Sequence, residues 1–202
     1  MSLARHADGW YSFLVTTLIG IQQQDFVVLA ADSQVTDGDQ RIISIQTPKI
    51  VHVDQYMLGV TGDSRPGDIL TYSWKPPTYR GEHPVDFMGA KVIPSMHKAF
   101  RDNGYDLPGT DKDGTFSYLV SFNAYLFSVA DDLSFNCTEV GLFAAGSGGN
   151  YALGYLYSLD RRLYTTELLT RTIAEKAVKI SSILDINTCP PVQVEIQRRR
   201  RK

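Results

Sequence analysis

Strand-like and helix-like patterning falls in blocks along this chain, and that block order is what most limits its fold. Residues 16–23 are apolar and β-branched, Asp25 breaks the run, and residues 26–31 resume it. Two apolar runs around a polar break predict a hairpin. Alternation over 41–45 and 50–53, with Pro48 between, leads to a run over 56–61 that ends at Gly62. The first third therefore predicts a β-meander, with turn chemistry at Asp37-Gly38-Asp39. Helical spacing follows. A short helix over 66–74 stops at Lys75-Pro76-Pro77, and a longer one over 84–103 carries Val85, Met88, Val92, Met96 and Phe100 on one face. Pro94 predicts a kink and Gly104 a C-cap. Strands return over 116–122, 125–129, 135–140 and 142–145. Helices follow over 150–159 and 166–184, the second with Leu168, Leu169, Ile173, Ala177 and Ile180 as its apolar stripe. Residues 192–197 close as a strand. Blocks of each type, rather than strict alternation, argue for an α+β fold over a doubly wound one. A layered α–β–β–α packing would bury both sheets between helices.

Composition narrows the class. The 202 residues are 43% apolar and favour one domain over disorder. No apolar run reaches the ~18 residues of a membrane span. The last five residues are all basic, so the other 197 carry 15 Lys and Arg against 22 Asp and Glu, a net of −7. An acidic body argues against a nucleic-acid-binding domain, whose footprint is a basic face. The tail itself reads as a solvated terminus. Cys137 and Cys189 are too few for a disulfide scaffold and too far apart for a zinc site. With no basic segment plus small-residue cleavage site at the start, the reading is cytosolic.

Familiar motifs fail on inspection. Gly146-Ser147-Gly148-Gly149-Asn150-Tyr151 has Tyr where a dinucleotide loop needs Gly or Ala, so it reads as a tight-packing entry to a helix. Asp111-Lys112-Asp113-Gly114 lacks the later ligands of a calcium loop. His6, His52, His83 and His97 show no ligand spacing, and no GxSxG elbow occurs. Neither a cofactor nor a metal is implied.

What remains is a spaced set. Thr16-Thr17-Leu18-Ile19-Gly20-Ile21 opens the first strand, and Ala30-Ala31-Asp32 ends the second. Lys49 stands in Thr47-Pro48-Lys49-Ile50, Gly62 in Val60-Thr61-Gly62-Asp63, Ser147 in the glycine-rich turn, and Asp185 and Thr188 in Asp185-Ile186-Asn187-Thr188. On these residues the sequence resembles the proteasome β-subunit family and its bacterial relatives, which are N-terminal nucleophile hydrolases. The resemblance covers residues 16–62 and 116–197. It implies a four-layer αββα sandwich and a threonine that becomes the N-terminus by self-cleavage. It divides the chain into a leader over 1–15, a domain over 16–197 and a basic tail over 198–202. It also implies a homo-oligomeric ring acting on peptide or unfolded-protein substrates. Position by position, Thr16 matches the nucleophile, Asp32 and Lys49 its charged partners, and Gly62 the backbone donor to the oxyanion. Ser147, Asp185 and Thr188 match the group around the amine, with Thr188 in place of the family's Ser.

The chemistry is coherent. A hydroxyl is a weak nucleophile until a base takes its proton. A freed Thr16 amine, with a model-peptide pKa of ~7.7–8.0, suits that task. Lys49 puts positive charge beside Thr16 Oγ, and Asp32 orients Lys49. Two other readings stand beside the peptidase. One is an unprocessed, catalytically inactive assembly subunit, favoured by the β-branched Val15 ahead of Thr16. The other is an amide hydrolase of the same superfamily acting on a small substrate.

Overall fold

A computed structural model describes residues 15–37, 40–43, 48–105, 107 and 116–200. The chain begins with β1 (Leu18–Gln22), β2 (Phe26–Ala31), β3 (Gln34–Asp37), β4 (Gln40–Ile43), β5 (Ile50–Val53) and β6 (Tyr56–Gly62). Helix α1 (Ser64–Tyr72), α2 (Pro84–Phe87), a π-helical turn (Met88–Val92) and α3 (Ile93–Asp102) follow. Then come β7 (Phe116–Phe122), β8 (Tyr125–Val129), β9 (Phe135–Asn136), β10 (Leu142–Ala145), α4 (Gly149–Ser158), α5 (Glu167–Leu184) and β11 (Gln193–Arg198). One sheet has the order β10-β1-β2-β11 and the other β5-β6-β7-β8-β9, with every neighbouring pair antiparallel.

Side-chain alternation makes the layers. Leu18, Val27, Leu29 and Ala31 turn toward the second sheet and meet Ile50, Met57, Leu119 and Leu126. Ile19, Ile21, Phe26, Val28 and Ala30 turn the other way, onto Ala152, Leu156, Ala174, Ala177 and Val178 of α4 and α5. Both faces are buried, so β1 and β2 read as continuous apolar runs. The far face of the second sheet is aromatic. Tyr56, Phe116, Tyr118 and Phe122 pack with Trp74, Phe87 and Phe100 beneath α1 to α3. The result is the expected αββα sandwich. No helix among the described residues is long and apolar enough to cross a membrane.

Several local expectations need correction. The first third is not one meander: β1 and β2 lie in one sheet, β5 and β6 in the other, and β3 pairs only with β4. Asp37 stands opposite Gln40, while Gly38 and Asp39 lie outside the described residues, as do residues 44–47 and 111–114. The strand expected over 135–140 shrinks to two residues. At Pro94 the helix does not simply kink. The missing N–H is absorbed by the π-helical turn just before it, where Ile93 N–H reaches back five residues to Met88 O. Gly104 does close α3, with a φ of 66° and the Schellman pair Gly104 N–H to Arg101 O and Tyr105 N–H to Phe100 O.

Helix α5 is partly rotated from its expected phase: Ala177 is buried and Ile173 packs on the helix-side core as expected, but the first turn differs. Leu168 is 75% exposed, and the buried residues are Thr170, Ala174, Ala177, Val178 and Ser181. Small side chains let α5 lie close to the first sheet, and close approach rather than bulk sets the buried face. Its start is settled by Thr166, whose hydroxyl accepts from Leu169 N–H at 3.3 Å. Thr166→Ala is expected to cost about 1 kcal/mol of unfolding free energy by urea titration. The basic tail is also tied down at its start. Arg198 belongs to β11 and pairs with Glu167 through Nε at 2.7 Å and Nη2 at 2.6 Å, and Arg199 N–H donates to Asp25 O at 2.7 Å.

Candidate active site

The alternation that builds β1 also aims the two threonines ahead of it. Leu18 faces the second sheet, and so does Thr16. Ile19 faces the helices, and so does Thr17. Two separate polar groups result, one on each side of the strand.

Toward the second sheet stands Lys49, the residue before β5. Its Nζ donates to Thr16 Oγ1 at 2.7 Å and to Asp32 Oδ1 at 2.8 Å. Asp32, at the end of β2, is fully buried. A buried carboxylate is costly unless its lone pairs are used. Here Oδ1 also accepts Thr17 N–H at 3.0 Å, and Oδ2 accepts Gln34 N–H at 2.9 Å and Cys189 N–H at 3.2 Å. The Lys49 side chain is 13% exposed. Burial pulls its ammonium below the ordinary lysine range, and the charge and hydrogen bond of Asp32 oppose that only in part. Val60 N–H holds Lys49 O at 3.0 Å, two residues before Gly62, which ends β6 with a φ of 87°.

Toward the helices stands Asp185, at the C-terminal end of α5. Its Oδ2 accepts Ser147 Oγ–H at 2.7 Å and Thr188 Oγ1–H at 2.6 Å, and its Oδ1 accepts Asn187 N–H at 3.2 Å. Thr188 and Thr17 hydroxyl oxygens are 2.7 Å apart. An ionised carboxylate only accepts, so the Thr188 proton is committed to Asp185 and Thr17 is the donor to Thr188. Thr17 therefore joins the two groups, with its backbone on Asp32 and its side chain on Thr188.

The glycine-rich turn is indeed a packing device, and it packs against the threonines. Gly148 N–H donates to Thr16 O at 3.2 Å. A Cβ on Gly148 would lie 1.9 Å from Thr17 Oγ1. Gly146 has a φ of 84°, and a Cβ there would lie 2.1 Å from Thr16 O. Ser181 Oγ of α5 holds the turn by donating to Gly148 O at 2.9 Å.

Residues 14–71, which include Thr16, Asp32, Lys49 and Gly62, match the family model described as Proteasome, proteasome subunit. The ATP-dependent protease subunit HslV of Caldanaerobacter subterraneus subsp. tengcongensis is 29% identical over 189 residues, covering 91% of this chain and 98% of that protein. HslV of Thermoanaerobacter pseudethanolicus is also 29% identical with the same coverage. Over residues 14–71 the chain is similar to proteasome subunits and, along most of its length, to the HslV protease subunits. The fold agrees. Thiobacillus denitrificans BPH superposes with a TM-score of 0.73 at 21% identity, over 91% of this chain and 98% of that one. Eukaryotic HslV from Trypanosoma brucei gives 0.59 at 22% identity, over 90% and 98%.

In this proteasome-like chain, hydrogen bonds bring Thr16, Asp32 and Lys49 together on one side and Ser147, Asp185 and Thr188 on the other. Sequence reading missed Thr17 and Gly148, which connect the two. Period-2 alternation from Leu18 would have pointed Thr17 at the helix side. Among the described residues, no group of three or more His, Cys, Asp and Glu is placed to hold a metal.

Proposed function

We propose that this protein is a proteasome-like threonine peptidase whose nucleophile, Thr16, is released by cleavage of the Val15–Thr16 bond. The observation that carries this reading is the Lys49 bridge between Thr16 Oγ1 at 2.7 Å and Asp32 Oδ1 at 2.8 Å. An ammonium donating to a hydroxyl oxygen stabilises the alkoxide character that attack requires. The curated relatives are protease subunits by name, which supports peptide bonds as the substrate class.

The bond to be cut carries its own support. Thr16 has a φ of 130°, a strained value for a β-branched residue. Such strain is worth of order 1–3 kcal/mol and persists where surroundings impose it. Cleavage abolishes this dihedral and its strain. In the proposed step Thr16 Oγ attacks the Val15 carbonyl carbon and the C–N bond breaks as the nitrogen takes a proton. Water then hydrolyses the ester, leaving residues 1–15 with a new carboxylate and Thr16 with a free amine. In later turnovers that amine takes the Oγ proton during attack on a substrate carbonyl and returns it to the leaving amine. Gly62 N–H is assigned to the developing oxyanion. Ser147 and Thr188, both bonded to Asp185, are assigned to the amine.

The test is intact mass of the purified protein with a Thr16→Ala control. Loss of residues 1–15 is expected in the wild type alone. Thiobacillus denitrificans BPH has been solved in complex with epoxomicin. A stoichiometric mass gain with epoxomicin is therefore expected, and is expected to vanish in Thr16→Ala. Full-length wild type with no adduct would overturn the peptidase and favour an inactive assembly subunit. A homo-oligomeric ring is proposed with it, supported by exposed apolar residues on the outer helix layer, such as Leu168 at 75% and Ile183 at 80%. Light scattering on the same samples should give a multi-subunit mass, and a monomer would overturn the ring.

A further inference from the structure

Strand β11 is the edge of the first sheet and β5 the edge of the second, on the same side of the sandwich. The two belong to different sheets, yet side chains connect them. Val194 and Ile196 of β11 pack into the helix-side core, so alternation turns Gln193, Glu195 and Gln197 the other way. Each meets the β5–β6 hairpin. Gln193 takes both free backbone groups of Ile50: its Oε1 accepts Ile50 N–H at 3.1 Å and its Nε2 donates to Ile50 O at 2.7 Å. Glu195 Oε2 lies 3.5 Å from His52 Nε2. Gln197 Nε2 donates to Gln55 O at 2.7 Å and to Ser121 O at 3.0 Å, while its Oε1 accepts Ser121 Oγ–H at 2.7 Å and Ala124 N–H at 3.3 Å.

An edge strand leaves every second N–H and C=O unpaired, and these groups need partners. At β5 a glutamine amide supplies them in the manner of a further strand. The position of the first tooth matters. Gln193 stands opposite Ala31, the residue before Asp32, and its side chain grips Ile50, the residue after Lys49. The same residue thus fixes the end of one charged partner's strand against the start of the other's.

We propose that Gln193 is a positioning residue for the reaction: its amide sets the spacing of β5 from β2, and through it the reach of Lys49 to Thr16 and Asp32. Gln197 makes more hydrogen bonds, but at the opposite end of the seam, and is an internal control. The reading of turnover rests on the peptidase assignment; the reading of Lys49 does not. Asp32 is the charged group that acts on Lys49 among the described residues, with the Thr16 hydroxyl beside it.

The test compares Gln193→Met, which keeps side-chain length without the amide, with Gln193→Glu, which keeps only the acceptor, and with Gln197→Met. Because a misplacement of about 1 Å can cost ~10²-fold in rate, kcat for a peptide is expected to fall at least ~10-fold in Gln193→Met with KM within about twofold. Gln193→Glu should fall between it and wild type. Gln197→Met should lower the urea midpoint at least as much while leaving kcat within about twofold. Unchanged kcat in Gln193→Met, or equal losses in both Met variants, overturns the proposal. A second readout needs no turnover: the pH titration of the Lys49 side chain by NMR. It is expected to move in Gln193→Met and to stay in place in Gln197→Met. An inactive wild type would therefore sink the peptidase while the Lys49 titration still decides the clamp; an unmoved titration overturns it.

Discussion

Lys49→Ala is expected to slow peptide cleavage by about 10²–10³-fold, the scale on which removal of one preorganised charge-stabilising donor acts. The loss should fall on kcat, because the ammonium bonds the Thr16 hydroxyl at 2.7 Å and so acts on the atom proposed to change charge. Folding should survive. Breaking a buried ion pair typically costs ~3–5 kcal/mol. Asp32 would keep three backbone donors, so the loss is expected to stay below that range. The pH dependence separates the two effects. Burial lowers the Lys49 pKa in the folded state. As pH rises through that lowered value, the folded chain sheds the proton while the unfolded chain holds it up to the ordinary value. The Lys49 contribution to stability therefore rises with pH over that window. The proposed role needs the charged form, so activity is expected to fall over the same window. A wild-type rate that drops at alkaline pH without a drop in urea midpoint would carry this signature. Asp32→Asn should move the drop to lower pH, since Asp32 holds the pKa up. A rate flat to the ordinary lysine range would sink the assigned role of a charged Lys49.

The fold was legible because burial on both faces leaves a plain signal: β2 is apolar throughout and β1 is apolar up to Gln22, and the amphipathic spacing of α3 is regular. The block order argues for α+β, and the family resemblance implies the αββα layers. Sheet membership was not legible, because nothing local says that β2 and β5 lie in different sheets. The phase of α5 was partly misread for a related reason. Its buried face is made of Ala174, Ala177 and Ser181, chosen for closeness to the sheet, while Leu168 and Ile183 are left outside. The expected stripe includes Ile173 and Ala177, which do pack on the core, but adds the exposed Leu168 and Leu169. The six site residues joined by hydrogen bonds stand in the short motifs on which the sequence resembles the proteasome β-subunit family. Their connectors carry no such match. Thr17 looks like a repeat of its neighbour, Gly148 like a helix entry, and Gln193 like the polar half of an edge strand. Each acts through a partner more than 30 residues away, and only the folded geometry names that partner.

Gly146→Ala is expected to be the most damaging single-methyl addition near the site. Two costs combine. The backbone at Gly146 holds a φ of 84°, where a Cβ is strained by roughly 1–2 kcal/mol. The new methyl would also sit 2.1 Å from the carbonyl oxygen of Thr16. That obstacle is backbone, so no side-chain rotation relieves it. Either the turn or Thr16 must move. Moving Thr16 strains the Gly148 N–H bond to its carbonyl and the reach of Lys49 to its hydroxyl. Overpacking of this kind typically costs a further ~1–3 kcal/mol. Self-cleavage and epoxomicin labelling should both drop below detection, and the urea midpoint should fall. Gly104→Ala isolates the conformational cost, because Gly104 has a φ of 66° with no atom within 4 Å of its would-be Cβ. It should lose stability by the strain alone and keep full labelling. If Gly146→Ala instead labels at the wild-type rate, the carbonyl of Thr16 is not held where the turn places it, and the alignment of the nucleophile must come from Lys49 and Asp32 alone.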